Sequence, residues 1–114
     1  MSVKLSTRQV GDVSVVDVAG RITLGEGSSA MRDALRDMVG QGHKKILLNL
    51  GEVSYIDSSG IGELVSGFTT VTNQGGQLKL LNLTKRVKDL LQITKLYTVF
   101  DVHESEATAV RSFT

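Results

Sequence analysis

Apolar and polar positions alternate from Val3 to Val10, placing Val3, Leu5 and Thr7 on one face, and after a Gly11–Asp12 turn the segment Val13–Val18 repeats an extended pattern. Two short strands about a tight turn predict a hairpin. The pattern lapses from Arg21 to Gly27, which reads as a glycine-containing loop. Ser28 and Ser29 are then candidate caps for a helix with Met31, Ala34, Leu35, Met38 and Val39 at helical spacing, ended by Gly40 and Gly42. Lys45–Leu50 is a nearly continuous apolar run, the composition of a strand covered on both faces.

Downstream, Ile61, Leu64, Val65, Phe68 and Thr72 fall at helical spacing until Gly75–Gly76 stops them. Gln77–Leu83 predicts another strand, Thr84 a cap for a third helix with Val87, Leu90 and Leu91 inward, Tyr97–Val102 a final short strand, and Ser105–Phe113 a terminal helix. The order is ββαβαβαβα. Right-handed strand–helix–strand crossovers make the middle strands parallel, and the opening hairpin makes the sheet mixed, so the expected fold is a single α/β domain over residues 1–114 with four to five strands.

Composition narrows the chemistry. The 114 residues contain no cysteine, which excludes disulfides, thiol redox chemistry and thiolate metal sites, and no proline, which removes a rigid-linker reading. A formal net charge of +1 gives no general attraction to nucleic acid or anionic membrane. Lys4, Arg8, Asp12 and Asp17 interrupt the N-terminal apolar pattern, so a signal peptide is not expected, and no run is long enough to span a bilayer. A soluble, cytoplasmic protein without a cofactor is the expectation.

The segment that stands apart is Asp57-Ser58-Ser59-Gly60, between the apolar strand and the next helix. An N-cap accounts for an aspartate or serine there, since either oxygen accepts an orphan helix N–H. A functional serine accounts for more: two serines and two glycines exceed what a cap requires, and Gly60 and Gly62 each cost about 1 kcal/mol of helix propensity against alanine. A phosphoryl group on this hydroxyl would add about −1.5 to −2 charges at a helix N-terminus that tolerates them. Other chemistry is poorly supported. The serines do not match the hydrolase elbow G-x-S-x-G, and only His43 and His103 could act as a base. Gly25-Glu26-Gly27 and Gly60-Ile61-Gly62 are bare G-x-G turns, not phosphate loops. Lys85, Arg86 and Lys88 read as a solvated helix face, and Glu52, Asp57 and Glu63 match no metal-ligand spacing.

Ile46–Leu50 followed by Val53-Ser54-Tyr55-Ile56-Asp57-Ser58-Ser59-Gly60-Ile61-Gly62 resembles the signature of bacterial anti-sigma factor antagonists of the STAS class. The resemblance extends through Val16–Ile22, Gly75–Leu80 and Val87–Phe100, nearly the whole chain. It implies helices packed mainly on one face of the sheet and a non-enzymatic binding protein. The implied partner is an anti-sigma factor that is also a serine kinase; it would modify Ser58, with a PP2C-type phosphatase reversing the step, and neither nucleic acid nor membrane would be bound. The implied partner surface comprises Asp57, Ser58, Ser59, Gly60, Ile61 and Gly62, with Arg21 and Thr23 from the neighbouring loop. One departure is that Arg21–Glu26 lacks the acidic residue often found after the family's Gly-x-Leu. Two other readings compete: a STAS-type subunit of a lipid-transport or transporter-regulating complex, with the serine merely a cap, and a small enzyme using Ser58 as nucleophile.

Overall fold

The computed structural model describes residues 3–113. Strands β1 (Val3–Val10), β2 (Val13–Ile22), β3 (Lys45–Ile56), β4 (Gln77–Leu81) and β5 (Val102–His103) form one sheet in the order β1-β2-β3-β4-β5. The β1–β2 hairpin is antiparallel and the other pairs are parallel, so the mixed sheet follows from the predicted crossovers. Helices α1 (Glu26–Gly40), α2 (Ser58–Asn73) and α3 (Lys85–Ile93) bury Met31, Leu35, Ile61, Leu64, Val87 and Leu91 against one sheet face. The short α4 (Glu106–Ser112) covers part of the other face, where Ala109 and Phe113 pack on Val13, Val15, Leu47 and Leu81. That accounts for the unbroken apolar run in β3. Ile46 and Leu48 point into one cluster and Leu47 into the other.

Several boundaries differ from the sequence reading, each for a tertiary reason. β2 continues through Ile22, because the second half of the long β3 pairs with it and Ile22 is fully buried; register shifts on either side of Ala19 and Gly20 absorb the mismatch. α1 begins at Glu26, before the serines. Gly25 enters it with φ 96°, and a Cβ on Gly27 would lie 2.6 Å from the Arg21 carbonyl oxygen, so the first turn rests on the end of β2. Ser28 is therefore no cap: it is buried, and its hydroxyl donates to the Thr23 carbonyl at 2.9 Å. In α2, Val71 and not Thr72 faces the core. β4 ends at Leu81, where Asn82 takes φ 58°. Tyr97–Val102 is mostly turn, with strand beginning only at Val102 and covering Val102–His103; its apolar spacing serves the core instead, with Phe100 edge-on to Phe68 at 5.5 Å. Thr84 and Ser105 cap α3 and α4 through bonds from the Val87 and Thr108 N–H groups.

Candidate functional site

β3 delivers the chain to the C-terminal end of the parallel strands and hands it directly to α2 through Asp57. Asp57 is extended (φ −108°, ψ −174°), the N-cap geometry, and its N–H donates to the Ile22 carbonyl at 3.3 Å, continuing the β2–β3 pairing one residue further. Its two carboxylate oxygens serve different elements. One accepts the Gly60 N–H at 3.0 Å and so caps α2; the other accepts the Leu24 N–H at 3.2 Å and so ties down the β2–α1 loop. The bond from Gly60 is the largest cause holding the Asp57 carboxyl below its ordinary pKa, helped by Leu24 and Ser59 and opposed by desolvation.

This makes Asp57 a structural clip with a predictable pH signature. Because its folded pKa is depressed, its contribution is fully present above the unfolded value near 3.8 and is lost as pH falls through the lower folded value. Asp57→Ala is expected to cost about 1 kcal/mol at pH 7, a midpoint drop of about 4 °C for a domain of this size. Asp57→Asn should keep the cap and lose the Leu24 bond. Thermal melts of wild type and both variants at pH 7 and below pH 4 check this: the gap between wild type and variant should narrow in acid.

The clip presents Ser58 as the first residue of α2. Ser58 is exposed, Ser59 half-buried, and neither hydroxyl makes a hydrogen bond to another described residue. The remaining residues of the expected surface divide. Gly62 is exposed with nothing within 4 Å of where its Cβ would sit, Arg21 is exposed, and Thr23 is half-buried with its carbonyl engaged by Ser28. Two residues of the expected surface are buried. Ile61 is only 3 % exposed and packs in the core, and Gly60 is buried with its Cβ position 2.5 Å from the Ile22 carbonyl oxygen and from Ile56. These two set the height of the helix on the sheet and offer a partner no side chain.

Two features near the serine were not drawn from the sequence. Leu24 is 80 % exposed, the most exposed large apolar residue among those described, and its backbone is bonded to Asp57. A single apolar residue between a threonine and a glycine carries no periodic signal, so only its place beside Asp57 distinguishes it. The second is Tyr55, paired across strands with Arg21 and overlain by two guanidiniums, Arg21 at 5.2 Å and Arg86 at 4.4 Å from the ring centroid.

Ser58 has no base. His43 Nδ1 lies 3.0 Å from the Ser14 hydroxyl, and His103 Nε2 lies 3.0 Å from Asp101. A cleft of about 600 Å³ beside the start of α3, lined by residues including Glu52, Thr84, Lys88 and Tyr97, does not reach the serine loop. Glu63 is held by Arg32 across α1 and α2, and among the described residues no group of three or more His, Asp or Glu side chains is placed to hold a metal.

The site is thus an exposed serine at the N-terminus of a capped helix, carried at the end of a mixed five-stranded sheet. The sequence model of the STAS domain matches residues 4–109. The chain is 34 % identical over 102 residues to the anti-sigma-B factor antagonist of Bacillus subtilis (strain 168), covering 90 % of this chain and 92 % of that one. In structure it is similar to the Thermotoga maritima protein TM1081, with a TM-score of 0.88 and 22 % identity over 96 % of this chain and 93 % of that one. It also superposes on the Bacillus cell fate determinant SpoIIAA in its phosphorylated form, with a TM-score of 0.74 and 20 % identity over 95 % and 97 % of the two chains. For the unphosphorylated form of that anti-sigma factor antagonist the TM-score is 0.71, at 19 % identity over 95 % and 96 %. The chain belongs to the STAS domain family, and its function at the level of the family is that of an anti-sigma factor antagonist. These relatives are named for antagonism or for cell fate and not for a reaction. Among the described residues, no helix is long and apolar enough to cross a membrane.

Proposed function

We propose that this protein is a cytoplasmic partner switch: unmodified, it binds an anti-sigma factor that is also a serine kinase and so frees a sigma factor, and phosphorylation of Ser58 releases it. A PP2C-type phosphatase restores the binding form. The observation that carries the reading is the free, exposed Ser58 hydroxyl at the N-terminus of α2, backed by the Asp57 clip. That SpoIIAA, with the same fold, has phosphorylated and unphosphorylated forms supports a phosphoryl group being compatible with this architecture. The contact surface comprises Asp57, Ser58, Ser59 and Gly62 with Arg21, Thr23 and Leu24, while Gly60 and Ile61 support it from beneath.

The test is incubation with ATP and each anti-sigma-type serine kinase of the source organism, read by intact mass. One phosphoryl group should be added to wild type and to Ser59→Ala but not to Ser58→Ala. No addition by any kinase would overturn the reading and favour the transporter-regulating alternative.

Leu24 gives a second expected result. Burying an exposed leucine side chain contributes about 1.5–3 kcal/mol, so Leu24→Ala should weaken kinase binding by roughly ten- to a hundredfold. Because the side chain is largely in solvent in the free protein, the melting temperature should barely move. Titration calorimetry beside a thermal melt separates the two effects.

A further inference from the structure

Among the described residues, Arg86 breaks a local rule without a carboxylate to compensate it. A positive charge in the first turn of a helix opposes the helix dipole. The adjacent Lys85 is offset by Asp89, four residues on, at 2.8 Å. Arg86 has no such partner: among the described residues neither it nor Arg21 enters an ion pair. Both guanidiniums lie over the Tyr55 ring, so they are within about 10 Å of each other, one Debye length at moderate salt. Two like charges drawn from α3 and β2 onto one ring repel, and the arrangement leaves their hydrogen-bonding edges unpaired with any carboxylate. A planar fork matches a carboxylate in a bidentate manner. Arg21 and Tyr55 are cross-strand partners immediately before Ile22 and Ile56, and the next pairing contact is the Asp57 N–H to Ile22. The cation pair therefore stands at the strand ends that lead through Asp57 to Ser58.

We infer that the Arg21–Tyr55–Arg86 stack is an acid-reading element of the partner surface, which docks paired carboxylates on the anti-sigma kinase beside Ser58. Tyr55 is the positioning residue: its ring holds both guanidiniums in register, so less side-chain freedom is lost when the acids arrive. The stack sets which kinase is recognised, whereas Ser58 sets when it is released. This rests on the partner reading given above.

The test measures affinity for the cognate kinase by titration calorimetry across a salt series, using wild type, Arg21→Gln/Arg86→Gln, the double lysine variant and Tyr55→Leu. The double glutamine variant should bind at least about tenfold more weakly, with a flatter dependence of affinity on salt. The double lysine variant should keep the salt dependence while losing part of the affinity, since it keeps charge but not the fork. Tyr55→Leu should fall between wild type and double glutamine. The glutamine and lysine variants should fold, because both arginines are exposed, and a thermal melt of Tyr55→Leu checks that its half-buried position tolerates the change. If wild type binds a kinase and the glutamine variant binds it equally, with an unchanged salt slope, the acid-reading role is overturned and the partner reading stands. If wild type binds none of the organism's anti-sigma kinases, both are overturned.

Discussion

Ser58→Asp is expected to lower affinity for the anti-sigma kinase by about two to three orders of magnitude while leaving the fold intact. The side chain lies at the exposed start of α2, where a kinase that modifies it must bring its nucleotide phosphates and catalytic acid. A fixed negative charge against those groups in a water-excluded contact costs several kcal/mol, and each 1.4 kcal/mol is about tenfold. Inside the free protein the same charge meets the opposite situation. The first turn of α2 carries no acidic residue, and its N–H groups and dipole favour one by roughly 0.3–1 kcal/mol. The neighbouring Asp57 carboxylate offsets part of that gain, so the stability of Ser58→Asp should stay within about 1 kcal/mol of wild type. Ser58→Ala should bind as wild type does and resist modification. Calorimetric titration of the three proteins with one kinase, alongside thermal melts, decides the matter. Equal affinities would remove the switch, and a parallel loss of stability in Ser58→Asp would mean that the fold and not the contact had been damaged.

What the sequence disclosed follows the range of the interactions concerned. The apolar run from Ile46 to Leu50 announces a strand covered on both sides because its signal is contiguous, and the Thr84 and Ser105 caps are legible because cap and N–H lie three residues apart. Asp57 is readable as the cap of α2 for the same reason. Its second bond, to Leu24 thirty-three residues earlier in the chain, is not. The misplaced start of α1 has the same origin. Ser28 and Ser29 carry the local signature of a cap, but the close approach of Gly27 to the Arg21 carbonyl starts the helix sooner and turns Ser28 inward. The apolar residues of Tyr97–Phe100 mimic a strand because a turn that plugs the core needs similar side chains. Within the site, cap logic makes the exposed position of Ser58 at the start of α2 legible, because that signal is local. Ile61 is buried, as its place in the helical apolar spacing implies, whereas a motif quoted as a string conceals that adjacent residues on a helix alternate between core and surface.

The two glycines of the motif look alike in sequence and should behave in opposite ways. In Gly60→Ala the new methyl group would lie 2.5 Å from the Ile22 carbonyl oxygen and from Ile56 Cγ1. The backbone oxygen belongs to a residue paired with Ile56 of β3 and already accepts the Asp57 N–H, so it cannot move aside cheaply, and overpacking should cost about 1–3 kcal/mol or more. That exceeds the propensity gain of about 1 kcal/mol for replacing glycine in a helix, and the net effect is destabilising. It should also lift the start of α2 from the sheet, lengthen the Asp57–Gly60 bond and blunt the response of Asp57 to acid. Gly62→Ala meets nothing within 4 Å and should collect the propensity gain, raising stability by about 1 kcal/mol, or roughly 4 °C. Internal packing thus accounts for Gly60 but not for Gly62. If close approach of a kinase is what keeps position 62 bare, the stabilised variant should bind its kinase more weakly and be phosphorylated more slowly. Thermal melts and a timed phosphorylation assay on the two variants separate the cases. A Gly62→Ala protein that is both more stable and modified at the wild-type rate would show that the partner does not reach this turn of the helix.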